Sequence, residues 1–220
     1  MSGTITTGTT RTTVHLVRHG EVFNPERVLY GRLPGFRLSD RGQRMATRLG
    51  EFFADHDIAS VTASPLQRAQ ETATPVARSH DLDLGTDARL IEAGNSFEGR
   101  RVTDGSGSIR DPRVWPRLWN PFQPSWGEPY EQQVARMSAV VRDVRDAFPG
   151  RESVLVSHQL PVWVTRLRAE GRPLVHDPRR RQCALASVTS LEFSGRTLVS
   201  VAYTEPAADL LIGADPVPGA

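Results

Sequence analysis

The chain has 220 residues, room for one domain with an elaborated loop and long enough to hold a core without staples. Its single cysteine, Cys183, excludes an internal disulfide and any multi-cysteine zinc site, and reads as a buried, idle thiol. All 27 cationic side chains are arginines, yet the net charge is only +2, which gives no argument for a nucleic-acid partner.

In chain order, residues 1–12 are threonine-rich without an apolar centre, so they read as a disordered lead rather than a signal peptide. Residues 13–18 form a β-branched apolar run, a buried strand that ends abruptly in Arg18, His19, Gly20 and Glu21. Ser39 and Asp40 can cap a helix reaching His56, with Met45, Leu49, Phe52 and Phe53 on one face. A second strand is predicted over 58–63. A helix is predicted to follow from Ser64-Pro65, with the proline in its first turn. Residues 82–84 give a weak strand. The 100–127 segment is rich in Pro, Gly and aromatic residues, including Trp115, Trp119 and Trp126, and reads as a lid-like insertion. Periodicity predicts a long helix over 128–148, a third apolar strand over 153–157 and a helix over 160–168. Residues 187–193 and 197–203 flank Ser194-Gly195-Arg196 as a hairpin, which offers an edge for a homodimer. A loose tail is expected over 206–220, leaving one domain over 13–205.

Strands alternating with helices imply an α/β fold with a mostly parallel central sheet. Ligands in such folds bind beyond the carboxyl ends of the strands. Three polar clusters sit at such ends: Arg18-His19, Ser64 through Arg68, and Ser157-His158. Nucleophile-elbow, Gly-rich phosphate-loop and dinucleotide fingerprints are missing, and no carboxylate stands at metal-ligand spacing from His19 or His158. Two histidines and two arginines gathered at one sheet edge suit a dianion, because guanidinium forks bind phosphate oxygens bidentately. A neutral imidazole can attack phosphorus if its other nitrogen holds the proton, usually on a backbone carbonyl. Gly20 is expected to supply a tight turn through φ > 0. A glutamate kept protonated could serve the leaving group and then activate water.

The motifs "LVRHGEV", "SPLQRAQETA", "RLIEAGNSFEG" and "VLVSH" resemble, in order, the signature segments of the histidine phosphatase superfamily, the phosphoglycerate mutase-like group. The resemblance implies a three-layer α/β/α sandwich with no metal and no cofactor. It implies His19 as the nucleophile that becomes phosphorylated. Arg18, Arg68 and His158 would hold the phosphoryl oxygens, with Asn24 and Gln159 as further substrate contacts. Glu92 would be the general acid, then the base. Its segment is one residue shorter than the common family form and lacks the usual tryptophan, so Glu98 is a rival. Gln159 stands where the family often has glycine.

His15 is expected to be a strand residue without chemistry, and His56, His80 and His176 surface or capping positions. Arg179, Arg180 and Arg181 read as a solvated patch. The expected partner is a small phosphate monoester, and the expected compartment the cytoplasm, since no stretch approaches the ~20 apolar residues of a membrane span. Hydrolysis is favoured over mutase-type transfer, because the long lysine-bearing insertions of the mutase subgroup are missing. A non-catalytic phosphate-binding module is the alternative of a different class.

Overall fold

The computed structural model describes residues 10–95, 98–99 and 127–214. The three insertion tryptophans, residues 1–9 and residues 215–220 lie outside that range. Six strands form one sheet: β1 (Arg11–Arg18), β2 (Ile58–Ala63), β3 (Leu84–Thr86), β4 (Glu152–Ser157), β5 (Val188–Ser194) and β6 (Thr197–Thr204). Their order is β3-β2-β4-β1-β5-β6. The first four run parallel, and β5 and β6 add an antiparallel hairpin turned at Gly195, whose φ of +59° favours glycine.

Strand side chains alternate between faces, and the core divides accordingly. Val17, Val61, Val154 and Val156 meet α1 (Asp40–Phe53) and α2 (Gln67–Ser79) on one face. Val14, Leu16 and Leu155 meet α3 (Tyr130–Ala147) and α4 (Gln159–Ala169) on the other. The result is the expected α/β/α sandwich. Leu16, Leu49 and Leu155 have no solvent exposure, so truncating any of them to alanine costs about 2–5 kcal/mol.

Local chemistry sets the boundaries. Ser39 caps α1 by accepting the Gly42 N–H at 3.0 Å, as its position in the sequence suggests. Pro65, by contrast, stays outside α2. The Leu66 N–H turns back to Ser64 Oγ at 3.4 Å, Leu66 remains extended, and the helix starts at Gln67. β3 lies two residues beyond the expected stretch, because its register is set by Val61 against Leu84 and Ala63 against Thr86.

The tail is also not loose from residue 206. Ala207 is buried, Ala208–Leu211 makes a 3-10 turn, and Leu210, Leu211 and Ala214 pack on the α1/α2 side of the core. No helix among the described residues is long and apolar enough to cross a membrane.

Candidate active site

Register brings the three polar clusters together. Arg18 pairs with Ser157, and Ala63 with Val156, so the residues that follow β1, β4 and β2 emerge side by side. The His19 N–H bonds Ser157 O at 3.1 Å and the Ser64 N–H bonds Val156 O at 2.9 Å, carrying the ladder one residue beyond the strands. His19, His158, Arg68 and Glu92 are all at most 2 % exposed.

The His19 ring is fixed by its own backbone. Its Nδ1 lies 2.7 Å from Gly20 O, and because a carbonyl only accepts, Nδ1 carries the proton and Nε2 the lone pair. Burial pushes the His19 pKa well below its usual value, and the charges of Arg68 and Arg18 push it the same way. The ring is therefore neutral at ordinary pH. Gly20 does not take a positive φ. Its role is close approach: a Cβ there would stand 2.8 Å from Gly42 O, at the start of α1. Its N–H donates to Thr72 Oγ1 at 3.0 Å, whose hydroxyl donates to Arg68 O at 2.7 Å, linking the histidine loop to α2.

Each arginine is anchored by one backbone carbonyl. Arg18 Nη1 donates to Cys183 O at 2.7 Å and Arg68 Nη2 to Gly31 O at 2.6 Å. Arg68 also lies over the Tyr30 ring at 4.7 Å, and that ring is 6.4 Å from His19. Arg18 Nε and Arg68 Nε are buried without a hydrogen-bond partner among the described residues, and so is His158 Nδ1. Three such groups around one imidazole are unusual, because buried polar atoms are normally satisfied. His158 Nε2 is held by Ser64 Oγ at 2.8 Å.

Glu92 Oε2 stands 4.0 Å from His158 Nδ1. Burial raises the carboxyl pKa against the opposing pull of the Ala93 N–H, which donates to Oε1 at 2.8 Å, and of the nearby arginines. Burial lowers that of His158. Both shifts favour uncharged forms, so the contact is not an ion pair. Glu98 has a different setting: it is partly exposed, and Oε1 accepts the Arg32 N–H at 3.0 Å beside Gly31. Arg32 ties the two segments together, its Nε donating to Glu92 O at 2.7 Å and its Nη2 to Glu128 at 2.8 Å. Glu128 in turn holds Arg136 of α3, whose charge acts on Glu92 and His158. Nothing local in the sequence marks Arg32, Glu128 or Arg136.

The remaining expected contacts are placed as follows. Asn24 closes its own loop, with Nδ2 donating to Val28 O at 2.9 Å and Oδ1 accepting the Val28 N–H at 3.0 Å. Gln159 opens α4, half-buried, directly after His158. Glu21 pairs with Arg41 at 3.0 Å and accepts from the Ser39 hydroxyl. Burial raises the Cys183 thiol pKa, so it is no thiolate. The basic run is divided: Arg179 and Arg180 are exposed, whereas Arg181 turns inward and donates from Nε to His176 Nε2 at 2.9 Å.

His15 and His56 are not isolated. Both rings approach the same Glu152 oxygen at 2.7 Å, and His15 Nδ1 meets Ser190 Oγ at 2.8 Å. Their ligating atoms lie within 4.8 Å of one another and could in principle hold a metal ion. The group sits about 10 Å back along β1 from Arg18, on the α1 face. Hydrogen bonding accounts for its geometry as it stands.

A neutral, oriented imidazole thus stands with the buried side chains of Arg18 and Arg68 at the carboxyl rim of an α/β/α sandwich. The chain belongs to the histidine phosphatase superfamily, branch 1, whose sequence model matches residues 14–206. It is 60% identical over 197 residues to protein Rv0525 of Mycobacterium tuberculosis, covering 90% of this chain and 98% of that one. It is 26% identical over 151 residues to a 2,3-bisphosphoglycerate-dependent phosphoglycerate mutase of Thermoplasma acidophilum, covering 67% of this chain and 70% of that one. Among solved structures, YhfR of Bacillus stearothermophilus superposes with a TM-score of 0.75 at 28% identity, over 87% of this chain and 95% of that one.

Proposed function

We propose that the protein hydrolyses a small phosphate monoester through a phosphohistidine formed on His19. One observation carries this reading: His19 presents an unprotonated Nε2 among buried Arg18, Arg68 and His158 groups that have hydrogen-bonding capacity left over. A phosphoryl dianion supplies the missing acceptors. With the Ser64 hydroxyl donating to His158 Nε2, the Nδ1–H of His158 is free to donate to a phosphoryl oxygen.

In the first half-reaction Nε2 attacks phosphorus, the P–O bond to the alcohol breaks, and protonated Glu92 gives its proton to the leaving oxygen. The arginines stabilise the charge on the equatorial oxygens without reorganising. In the second, the Glu92 carboxylate takes a proton from water, the water oxygen bonds to phosphorus, the P–N bond breaks, and inorganic phosphate leaves. Glu92 and neutral His19 are thereby restored.

Turnover of p-nitrophenyl phosphate tests the reading. Phosphate release by the wild type, abolished in a folded His19→Ala variant, is expected. Phosphate binding without release at any pH would mark a binding module instead.

A further inference from the structure

His15, His56 and Glu152 gather toward the amino ends of the strands, away from the Arg18-His19 corner. Three elements deliver them. Glu152 opens β4, in register with Thr13 of β1 and Ile58 of β2. His15 stands two residues along β1 from Thr13, on the same face of the sheet. His56 lies between α1 and β2, its N–H on Phe53 O at 2.9 Å, and Asp57 O accepts the Glu152 N–H at 3.1 Å. Backbone bonds thus tie the turn to the carboxylate. The rings are packed as well, since Phe53 lies 5.0 Å from His15 and 5.3 Å from His56.

Both rings converge on one atom. His15 Nε2 and His56 Nδ1 each lie 2.7 Å from Glu152 Oε2, and the three groups' ligating atoms lie within 4.8 Å of one another. Arg151, next in the chain, turns to Asp57 at 2.7 Å and leaves Glu152 to the imidazoles. Ser190 Oγ stands 2.8 Å from His15 Nδ1. A hydroxyl both donates and accepts, so Ser190 can donate while Nε2–H serves the carboxylate, or accept once the ring proton sits on Nδ1. In the second state Nε2 presents a lone pair and the other ring N–H is held, which is how metal-bound imidazoles are oriented. His56 can likewise carry its proton on Nε2, which makes no hydrogen bond among the described residues.

We propose that His15, His56 and Glu152 bind one zinc ion, a structural clip between β1, β4 and the turn after α1. Two imidazole nitrogens and a carboxylate oxygen suit zinc, whereas magnesium and calcium favour oxygen ligands. Zinc bonds of about 2.0–2.2 Å set ligand atoms roughly 3.3 Å apart around a tetrahedron, so each 2.7 Å contact opens by about 0.6 Å as the ion enters. Each ring keeps one proton, moved to its far nitrogen, and water takes the fourth position. The His56 and Glu152 side chains are 32% and 28% exposed, which gives the ion a way in. The clip is independent of the proposed hydrolysis.

Tag-free, full-length protein is stripped with a chelator and titrated with zinc chloride by calorimetry near neutral pH. One equivalent should bind with a Kd in the micromolar range or below, and zinc at about a hundred times that Kd should raise Tm by about 5–10 °C. His56→Gln, at a partly exposed turn, removes one ligand and should weaken binding by about 100-fold or more. Ser190→Ala keeps all three ligands and loses only the outer partner, so it should weaken binding about tenfold. Cobalt(II) reports the coordination: a visible d–d absorption of four- or five-coordinate strength is expected, and is lost in Glu152→Gln. Circular dichroism of each metal-free variant confirms that it is folded. No zinc uptake by the wild type at micromolar concentration, or uptake unchanged in either His56→Gln or Glu152→Gln, overturns the site and leaves the cluster held by hydrogen bonds alone.

Discussion

The imidazoles of His19 and His158 meet edge to face, their centroids 5.2 Å apart and their planes inclined by 60°. Two histidines this close could not both be protonated without strong repulsion, and burial together with the flanking arginines keeps both neutral. Their roles separate through their partners. His19 gives its Nδ1 proton to its own loop and frees Nε2, whereas His158 is tied through Nε2 to Ser64 and leaves Nδ1 toward Glu92.

The pH profile follows from the signs of two shifts. On the proposed mechanism His19 attacks only when neutral, and its pKa is lowered well below 6.5, so activity should fail on the acid side only when the pH falls through that depressed value. In the same mechanism Glu92 donates only when protonated, and its pKa is raised above 4.5, so activity should decline as the pH rises through that elevated value. We expect the alkaline limb of kcat/KM for an alkyl phosphate to report the loss of the Glu92 proton, and to be absent from Glu92→Gln. An alkaline limb unchanged in Glu92→Gln would contradict this assignment.

Glu92→Gln keeps the shape of the side chain and removes the transferable proton. General acid catalysis contributes about 10²- to 10⁴-fold, so propyl phosphate turnover should fall by that order. Loss with p-nitrophenyl phosphate should be much smaller, since its leaving group needs little protonation. A leaving-group-dependent loss in Glu98→Gln, absent from Glu92→Gln, would transfer the role to Glu98.

How much of this was legible in the sequence depended on how local each feature is. Arg18, His19 and His158 are marked by the abrupt end of an apolar run, and Arg68 lies in the first turn of the helix after β2, so the sheet register alone assembles them. Gly20 was legible as a requirement but not by its cause, since the contact with Gly42 exists only once α1 docks. The choice between Glu92 and Glu98 was not legible, because the Arg32 side chain and backbone that sort the two carboxyls come from some 60 residues away. Arg181 resembled its two exposed neighbours, and only the tertiary partner His176 distinguishes it.

Gly20→Ala tests the docking contact. The added Cβ meets the Gly42 backbone at 2.8 Å, and backbone cannot swing aside as a flexible side chain can. Strain of about 1–3 kcal/mol should lower Tm. Displacement of His19 on the order of 1 Å should reduce kcat/KM by roughly 10²-fold. Wild-type activity in this variant would show that the loop tolerates the shift.

The Glu152 cluster predicts a pH dependence of stability. Hydrogen bonds from His15, then His56, lower the Glu152 pKa to about 2 against an ordinary 4.5. The folded value is depressed, so this stability is present above pH 4.5 and is lost as the pH falls from there toward 2. Solvent around the partly exposed carboxylate screens the interaction, leaving about 1 kcal/mol. Denaturant unfolding of Glu152→Gln should show that part of the acid-dependent loss removed. An unchanged dependence would contradict the role given to the cluster.

The most direct test is chemical capture of the intermediate. A radiolabelled phosphate monoester is mixed with the protein, quenched in alkali within a turnover, and the digest mapped for acid-labile phosphate. The account predicts label on the peptide containing His19, lost in His19→Ala together with phosphate release. Sustained phosphate release from His19→Ala, or label found only on another residue, would contradict it.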